Sequence, residues 1–153
     1  MKNILKLIIA LVICQLAGGI GSLFNRISIS TWYPTLIKPS FNPPNWLFAP
    51  VWIFLFLLMG ISLYLIWTSK GKHKYAIKLF SIQLLLNILW SALFFGLRCP
   101  ICAFIEIIIL WVFILLTMLE FYKINKTAGY LLMPYLAWVT FAGILNFFLF
   151  FLN

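Results

Sequence analysis

Negative charge is almost missing from this chain: two acidic residues stand among 153, beside a single histidine and three cysteines. That scarcity excludes most chemistry that needs clustered ionisable groups. Glu106 and Glu120 lie in one apolar run, 14 positions apart, which on a helix separates them by about 21 Å and rules out a working carboxylate pair. His73 belongs to a loop on the opposite side from Cys99 and Cys102, so with Cys14 they cannot converge as four metal ligands. Nothing resembles a phosphate-binding loop or a serine triad. Charged residues amount to 8% and hydrophobic ones to 65%, against about 25% and about 45–50% in soluble domains. A single domain of this length could not keep so much apolar surface dry. The chain is read as an integral membrane protein.

What is present is organised in five apolar runs: Ile4–Phe24, Trp46–Trp67, Ala76–Leu97, Ile101–Phe121 and Tyr130–Leu152. Each is about 20 residues long and as a helix reaches roughly 30 Å, the thickness of a hydrocarbon core. The runs are continuous rather than alternating, which excludes a barrel. Backbone satisfaction in lipid then requires helices. The expected fold is an all-α bundle of five transmembrane helices in one domain. Lys2, Lys6 and Ala17-Gly18-Gly19 also give the first run a signal-peptide flavour, but its full span length favours a retained helix.

The formal charge of +9 would suggest nucleic acid in a soluble protein. Here it is first a topology signal, and no nucleic-acid partner is expected. Lys2, Lys6, Lys70, Lys72, Lys74, Lys78, Lys123 and Lys126 fall on one side of the bundle, Arg26, Lys38 and Arg98 on the other. In a bacterial cell membrane, the favoured setting, the positive-inside rule places the N-terminus in the cytoplasm and the C-terminus outside; in another membrane the same asymmetry names no compartment. The lysine-rich second loop suits anionic lipid.

The first loop, Asn25–Asn45, is long for a connection between neighbouring helices. Pro34, Pro39, Pro43 and Pro44 stiffen it, and Trp32, Tyr33, Phe41 and nearby Trp46 supply rigid rings. It reads as a structured lid, with an interfacial aromatic anchor as the alternative.

Polar side chains inside lipid are costly and therefore informative. Gln83, Asn87, Trp90, Ser91 and Phe94 share one face of the third run. Pro134, Tyr135, Trp138, Ala142 and Asn146 follow similar spacing on the fifth. Two such stripes can face each other across a bundle. Asn87 and Asn146 alone are better read as interhelical glue, whereas large indoles favour a ligand wall. Ala17/Gly21 and Gly18/Ser22 on the first helix serve close packing or dimerisation, or else a ligand pressed on bare backbone. Glu106 is expected to pair with Arg98 or Lys38, or to bond a buried amide; a lone carboxylate is weak ground for proton coupling. Cys99-Pro100-Ile101-Cys102 has redox spacing without a thioredoxin-like setting, and is expected to be an incidental pair, oxidised if it faces outside.

Three long stretches carry a resemblance. They are Trp32-Tyr33…Lys38-Pro39-Ser40-Phe41…Pro43-Pro44…Trp46…Pro50-Val51-Trp52; Gln83-Leu84…Asn87…Trp90-Ser91…Phe94-Phe95-Gly96; and Pro134-Tyr135-Leu136-Ala137-Trp138…Phe141-Ala142…Leu145-Asn146. In that order they resemble the TspO/MBR family, the tryptophan-rich sensory proteins and translocator proteins. The resemblance implies a five-helix bundle, often dimeric, whose first loop caps a pocket for porphyrins, haem, sterols and benzodiazepine-type ligands. It also implies a link to tetrapyrrole metabolism. Trp32, Tyr33, Trp52, Asn87, Trp90, Phe94, Trp138, Ala142 and Asn146 are the ligand-binding residues it implies. By the same resemblance, Trp52 and Trp138 match pocket tryptophans tied to light- and oxygen-dependent porphyrin breakdown in some bacterial members. Two departures stand out. The stretch Asn146–Asn153 lacks the Tyr and Arg of the animal sterol motif, and Cys102 replaces a Trp of animal members.

The functions this leaves are a tetrapyrrole-binding sensor, a photo-oxidative porphyrin-degrading enzyme and a transporter. No residue set for acid–base or nucleophilic work exists, and no ion coupling is evident, so binding ranks first. No obligatory cofactor is expected; porphyrin or haem is a ligand, and the expected partners are that ligand, membrane lipid and a second copy of the chain.

Overall fold

A computed structural model describes residues 1–153. Its helices are α1 (Lys2–Thr31), α2 (Asn45–Thr68), α3 (Lys74–Ser91), α4 (Pro100–Ile124), α5 (Lys126–Leu131) and α6 (Met133–Leu152). Five stretches are long and apolar enough to cross a membrane, with α5 and α6 forming one of them. The chain is therefore a multi-pass membrane protein of all-α architecture, as the apolar runs require.

The ends of the helices move relative to the apolar runs, each for a local reason. The first helix does not stop at Phe24 but continues to Thr31, about two further turns. Ser28 within this extension donates to the Phe95 carbonyl at 2.6 Å, and Ser30 and Thr31 bond back to Ile27. Pro34 then denies continuation, so the lid is Trp32–Pro44 rather than 25–45. The fifth span begins at Lys126, capped by Asn125, whose Oδ1 accepts the Ala128 N–H at 3.2 Å. It breaks at Leu132, two residues before Pro134, which has no N–H to return to the preceding turn.

The third span ends in a widened turn, Ala92–Gly96, where the Leu97 N–H reaches the Ala92 carbonyl at 2.8 Å, five residues back. Such π-type turns re-aim side chains and recur at functional sites. Arg98 follows in the left-handed region at φ 54°. Pro100 then opens α4 at its first position, where its missing N–H costs least.

Small residues let the helices approach closely. A Cβ on Gly60 would sit 2.9 Å from the Leu11 Cα, and one on Gly21 would sit 3.2 Å from the Ser91 hydroxyl. The Ala17/Gly21 pair is buried inside the chain, so it serves packing within the bundle. Ser62 donates to the Ala128 carbonyl at 2.7 Å, and Trp111 to the Thr140 hydroxyl at 2.7 Å, tying further helix pairs.

The buried apolar residues form two clusters. The larger includes Met59, Ile66, Phe80, Leu110, Ile114 and Phe121, with Phe80 stacked on Phe121 at 5.7 Å. The smaller, at the lid end, joins Tyr33, Phe94, Phe95, Ala103, Leu145 and Leu149. Between them the packing is interrupted by a cavity.

Candidate ligand pocket

The cavity measures about 450 Å³ and is bordered by α1, α2, α3, α4, α6 and the lid. Phe48, Trp52 and Phe56 line it from α2, Trp90, Phe94 and Phe95 from the third span, and Trp138 from α6. Trp90 stacks on Phe94 with centroids 5.1 Å apart and planes within 10°. Trp138 leans on Phe141 at 5.5 Å and meets Phe48 edge-on at 6.1 Å. Trp52 lies 5.5 Å from Phe56 and edge-on to Tyr135 at 6.2 Å. These rings support one another's orientation, so the wall is fixed before any ligand arrives.

Polar groups in the wall are few and mostly held. Trp90 Nε1 donates to Asn146 Oδ1 at 2.9 Å, and Asn146 Nδ2 donates to the Pro100 carbonyl at 3.0 Å. Asn87 Nδ2 donates to the Tyr135 hydroxyl at 2.8 Å, which donates onward to Gln83 Oε1 at 2.9 Å. Both asparagines thus do what their sequence context suggests, bonding across helices, and they also face the cavity. Asn25 Oδ1 is buried without a partner on the α1 side.

The lid is structured. Tyr33 is buried and donates its hydroxyl to Asn42 Oδ1 at 3.1 Å, while Lys38 sits 4.6 Å over its ring. Burial pushes the Tyr33 phenol up from its ordinary value. Phe41 packs edge-on against Phe148 at 5.4 Å. Asn153 clamps the far limb of the lid: its Oδ1 accepts the Ile37 N–H and its Nδ2 donates to the Ile37 carbonyl, each at 2.9 Å. Two bonds of about 1 kcal/mol each hold this latch. Asn153→Ala is therefore expected to speed hydrogen exchange at the Ile37 amide by about 5- to 30-fold and to leave the global melting transition in place. Unchanged exchange at Ile37 would show that the latch holds nothing.

Eight of the nine site residues expected from sequence line the cavity: Tyr33, Trp52, Asn87, Trp90, Phe94, Trp138, Ala142 and Asn146. Trp32 does not. Its ring turns onto Phe94 at 5.4 Å, edge-on, and braces a wall residue from behind. Glu106 also departs from expectation. It is 4% exposed, and neither carboxylate oxygen has a hydrogen-bond partner; the single ion pair in the chain joins Lys123 and Glu120.

One wall goes beyond the two expected stripes. Gln15, Gly18, Ser22, Asn25 and Ile29 of α1 all border the cavity, and their spacing of three and four is that of one helical face. Gln15 Nε2 also donates to the Ile53 carbonyl at 3.0 Å. The polar and small residues of this stripe are the signal that could have found it. Gly19, Ser22, Ala49 and Ile53 border the cavity and are exposed as well, so it reaches the outer surface between α1 and α2.

Comparison with known proteins decides the kinship. The TspO/MBR family model matches residues 10–152. The chain belongs to the TspO/MBR family. It is 47% identical to the tryptophan-rich protein TspO of Chlorobaculum tepidum over 150 residues, covering 95% of this chain and 94% of that one. It is 44% identical to the tryptophan-rich protein TspO of Archaeoglobus fulgidus over 152 residues, 99% of each chain. The translocator protein of Bos taurus is 35% identical over 137 residues, 87% of this chain and 81% of that one. Among TspO/MBR proteins this chain is thus similar to microbial and animal members alike over nearly its whole length, and it shares their character as a membrane protein of sensor or receptor type.

Proposed function

We propose that the pocket binds a large, planar, mostly apolar ligand, a porphyrin or haem-like tetrapyrrole, and that the protein is a receptor linked to tetrapyrrole metabolism. The observation that carries the reading is a preformed cavity of about 450 Å³ walled by three tryptophans and four phenylalanines, within the roughly 300–1,000 Å³ of small-molecule sites. No lysine or arginine lines it. In this reading the macrocycle lies among the rings and its carboxylates point to the lid end, where Arg26, Lys38 and Arg98 are placed by the topology. Sterol-like or benzodiazepine-type ligands would use the same apolar wall. The tetrapyrrole is a ligand here, not a resident cofactor.

Protoporphyrin IX titrated into the purified protein in the dark, followed by tryptophan fluorescence, tests this. Saturable one-site quenching is expected, weakened about three- to tenfold by Trp138→Phe, the scale of losing one aromatic contact. Absence of saturable quenching would sink the tetrapyrrole reading.

A second reading, photo-oxidative porphyrin degradation, is favoured by one observation: Trp52 and Trp138 both border the cavity, from different helices. The excited porphyrin and oxygen would supply the chemistry, with these indoles as electron donors. The same titration under light separates the readings. Loss of the porphyrin spectrum in wild type, abolished in Trp52→Phe and Trp138→Phe at porphyrin concentrations that still saturate those variants in the dark, is turnover. Transport would instead require ligand flux across sealed vesicles.

A further inference from the structure

We propose that Cys99 and Cys102 form a reversible thiol–disulfide exchange site whose redox state sets the shape of the pocket wall at Trp90. The two are disulfide-bonded at the start of α4, on the lid side of the bundle. Both are partly exposed, whereas the third cysteine, Cys14, is fully buried and free. A dithiol or glutathione-type thiol can therefore reach the pair and not the lone sulfur.

The local structure favours exchange. Cys99 is the N-cap residue of the 25-residue α4, and its Sγ accepts the Cys102 N–H at 3.3 Å. A thiolate left at Cys99 would accept that N–H and face the positive end of the helix, which stabilises the anion and makes it a better leaving group. An external thiolate attacks Cys102 Sγ; the S–S bond breaks and its electron pair remains on Cys99 as thiolate. A second external thiolate attacks the external sulfur of the mixed disulfide, forming the external disulfide and releasing Cys102 as thiolate. Protonation of both sulfurs completes a balanced two-electron reduction of the protein by two thiols.

The link to the pocket runs through a backbone carbonyl enclosed by the bridge. Pro100 lies between the two cysteines, and its carbonyl accepts Asn146 Nδ2, whose Oδ1 in turn holds the Trp90 indole N–H. Cys99 also donates its N–H to the Leu93 carbonyl at 3.1 Å, in the π-type turn that presents Phe94 and Phe95. The bridge thus closes the first turn of α4 on itself, and the Cys99 N–H ties that closed turn to the one that ends the third span. Reduction frees that turn, lets the Pro100 carbonyl swing, and removes the anchor that holds Asn146 and Trp90. An incidental thiol pair at this position would have no such consequence.

The binding effect rests on the proposed tetrapyrrole reading; the redox effect on Trp90 does not. Purified protein is compared oxidised and after equilibration with dithiothreitol. Two thiols are expected to become alkylatable together at Cys99 and Cys102, with Cys14 unlabelled. Protoporphyrin IX is expected to bind the reduced protein about fivefold or more weakly, the lower end of ordinary coupling between sites. The double variant Cys99→Ser/Cys102→Ser should bind like reduced wild type and ignore dithiothreitol. Equal affinity in the two redox states, or an equal response of the double variant, overturns the proposal. If porphyrin binds neither form, near-UV circular dichroism of ligand-free protein decides alone. Reduction should change the tryptophan bands in wild type and leave them unchanged in Trp90→Phe, and no change in wild type overturns the link. Two free thiols in protein never exposed to reductant overturn it as well.

Discussion

Ala142→Phe is expected to weaken dark protoporphyrin binding by at least about 100-fold, a loss of roughly 2.7 kcal/mol, while the protein still folds. Ala142 faces the cavity on the same side of α6 as Trp138 and Asn146. A phenyl ring there would project between the indole walls and occupy the space that a macrocycle needs. The cavity, at about 450 Å³, is in the smaller half of the usual range, so little room is left for a large ligand to shift aside. Stability should change by no more than about 1 kcal/mol, because the added ring fills existing space instead of displacing packed neighbours, which is what makes overpacking costly. Ile144→Phe is the control. Ile144 is two positions away and 50% exposed on the outer surface, so the same added bulk should leave binding unchanged. Equal binding by Ala142→Phe and wild type would mean that the ligand sits outside this cavity.

Ala142 is legible in the amino-acid pattern and Gln15 is not, and the difference follows from what lipid does to a sequence. A bilayer forces about 20 apolar residues per span, so the five helices announce themselves, and any polar or aromatic residue at helical spacing within them stands out. Asn87, Trp90, Trp138 and Asn146 are legible for that reason, and Ala142 by its register with the last two. The first helix carries the same kind of stripe in Gln15, Ser22 and Asn25, but its glycines supply a competing explanation in close packing. The structure gives both: Gly18 packs on Phe56 and Gly21 on Ser91, and Gly18, Gly21 and Ser22 all border the cavity.

Helix ends are the least legible, because turns outside the hydrocarbon carry no apolar signal. Residues 25–31 are helical although Asn25 and Arg26 end the apolar run. The π-type turn at Ala92–Gly96 depends on hydrogen-bond register and not on residue type. The Asn153 latch on Ile37 joins positions 116 apart, a pairing no local pattern encodes. Trp32 shows the limit of likeness by motif. A ring at the right place in the chain can brace the wall from behind instead of lining it.

Tyr135 is where pocket and bundle depend on a single side chain, and its removal carries the largest expected loss of stability. The residue is fully buried, and its hydroxyl takes a hydrogen bond from Asn87 Nδ2 and gives one to Gln83 Oε1. An average interhelical hydrogen bond in a membrane protein is worth about 0.6 kcal/mol, which would make two of them a minor matter. Leaving buried partners unpaired costs more, about 1–3 kcal/mol each. The two partners are not equivalent. Asn87 borders the cavity and can turn its amide toward water or ligand there, whereas Gln83 is 1% exposed and its Nε2 already lacks a partner. Tyr135→Phe is therefore expected to cost about 2 kcal/mol, one orphaned buried group, read as a lowered midpoint of unfolding in detergent. Tyr135→Ala also loses the ring against Trp52 and opens new space beside the pocket, for a total of about 3–5 kcal/mol. The phenylalanine variant has a second signature: with Asn87 released, its amide donors face the cavity, so ligands bearing an acceptor at that position should gain affinity relative to purely apolar ones. A cost for Tyr135→Phe no larger than about 0.6 kcal/mol would mean that Gln83 finds another partner when the hydroxyl is gone. The hydroxyl would then be ordinary glue between helices, and the orientation of Asn87 in the pocket wall would be set by the cavity and not by Tyr135.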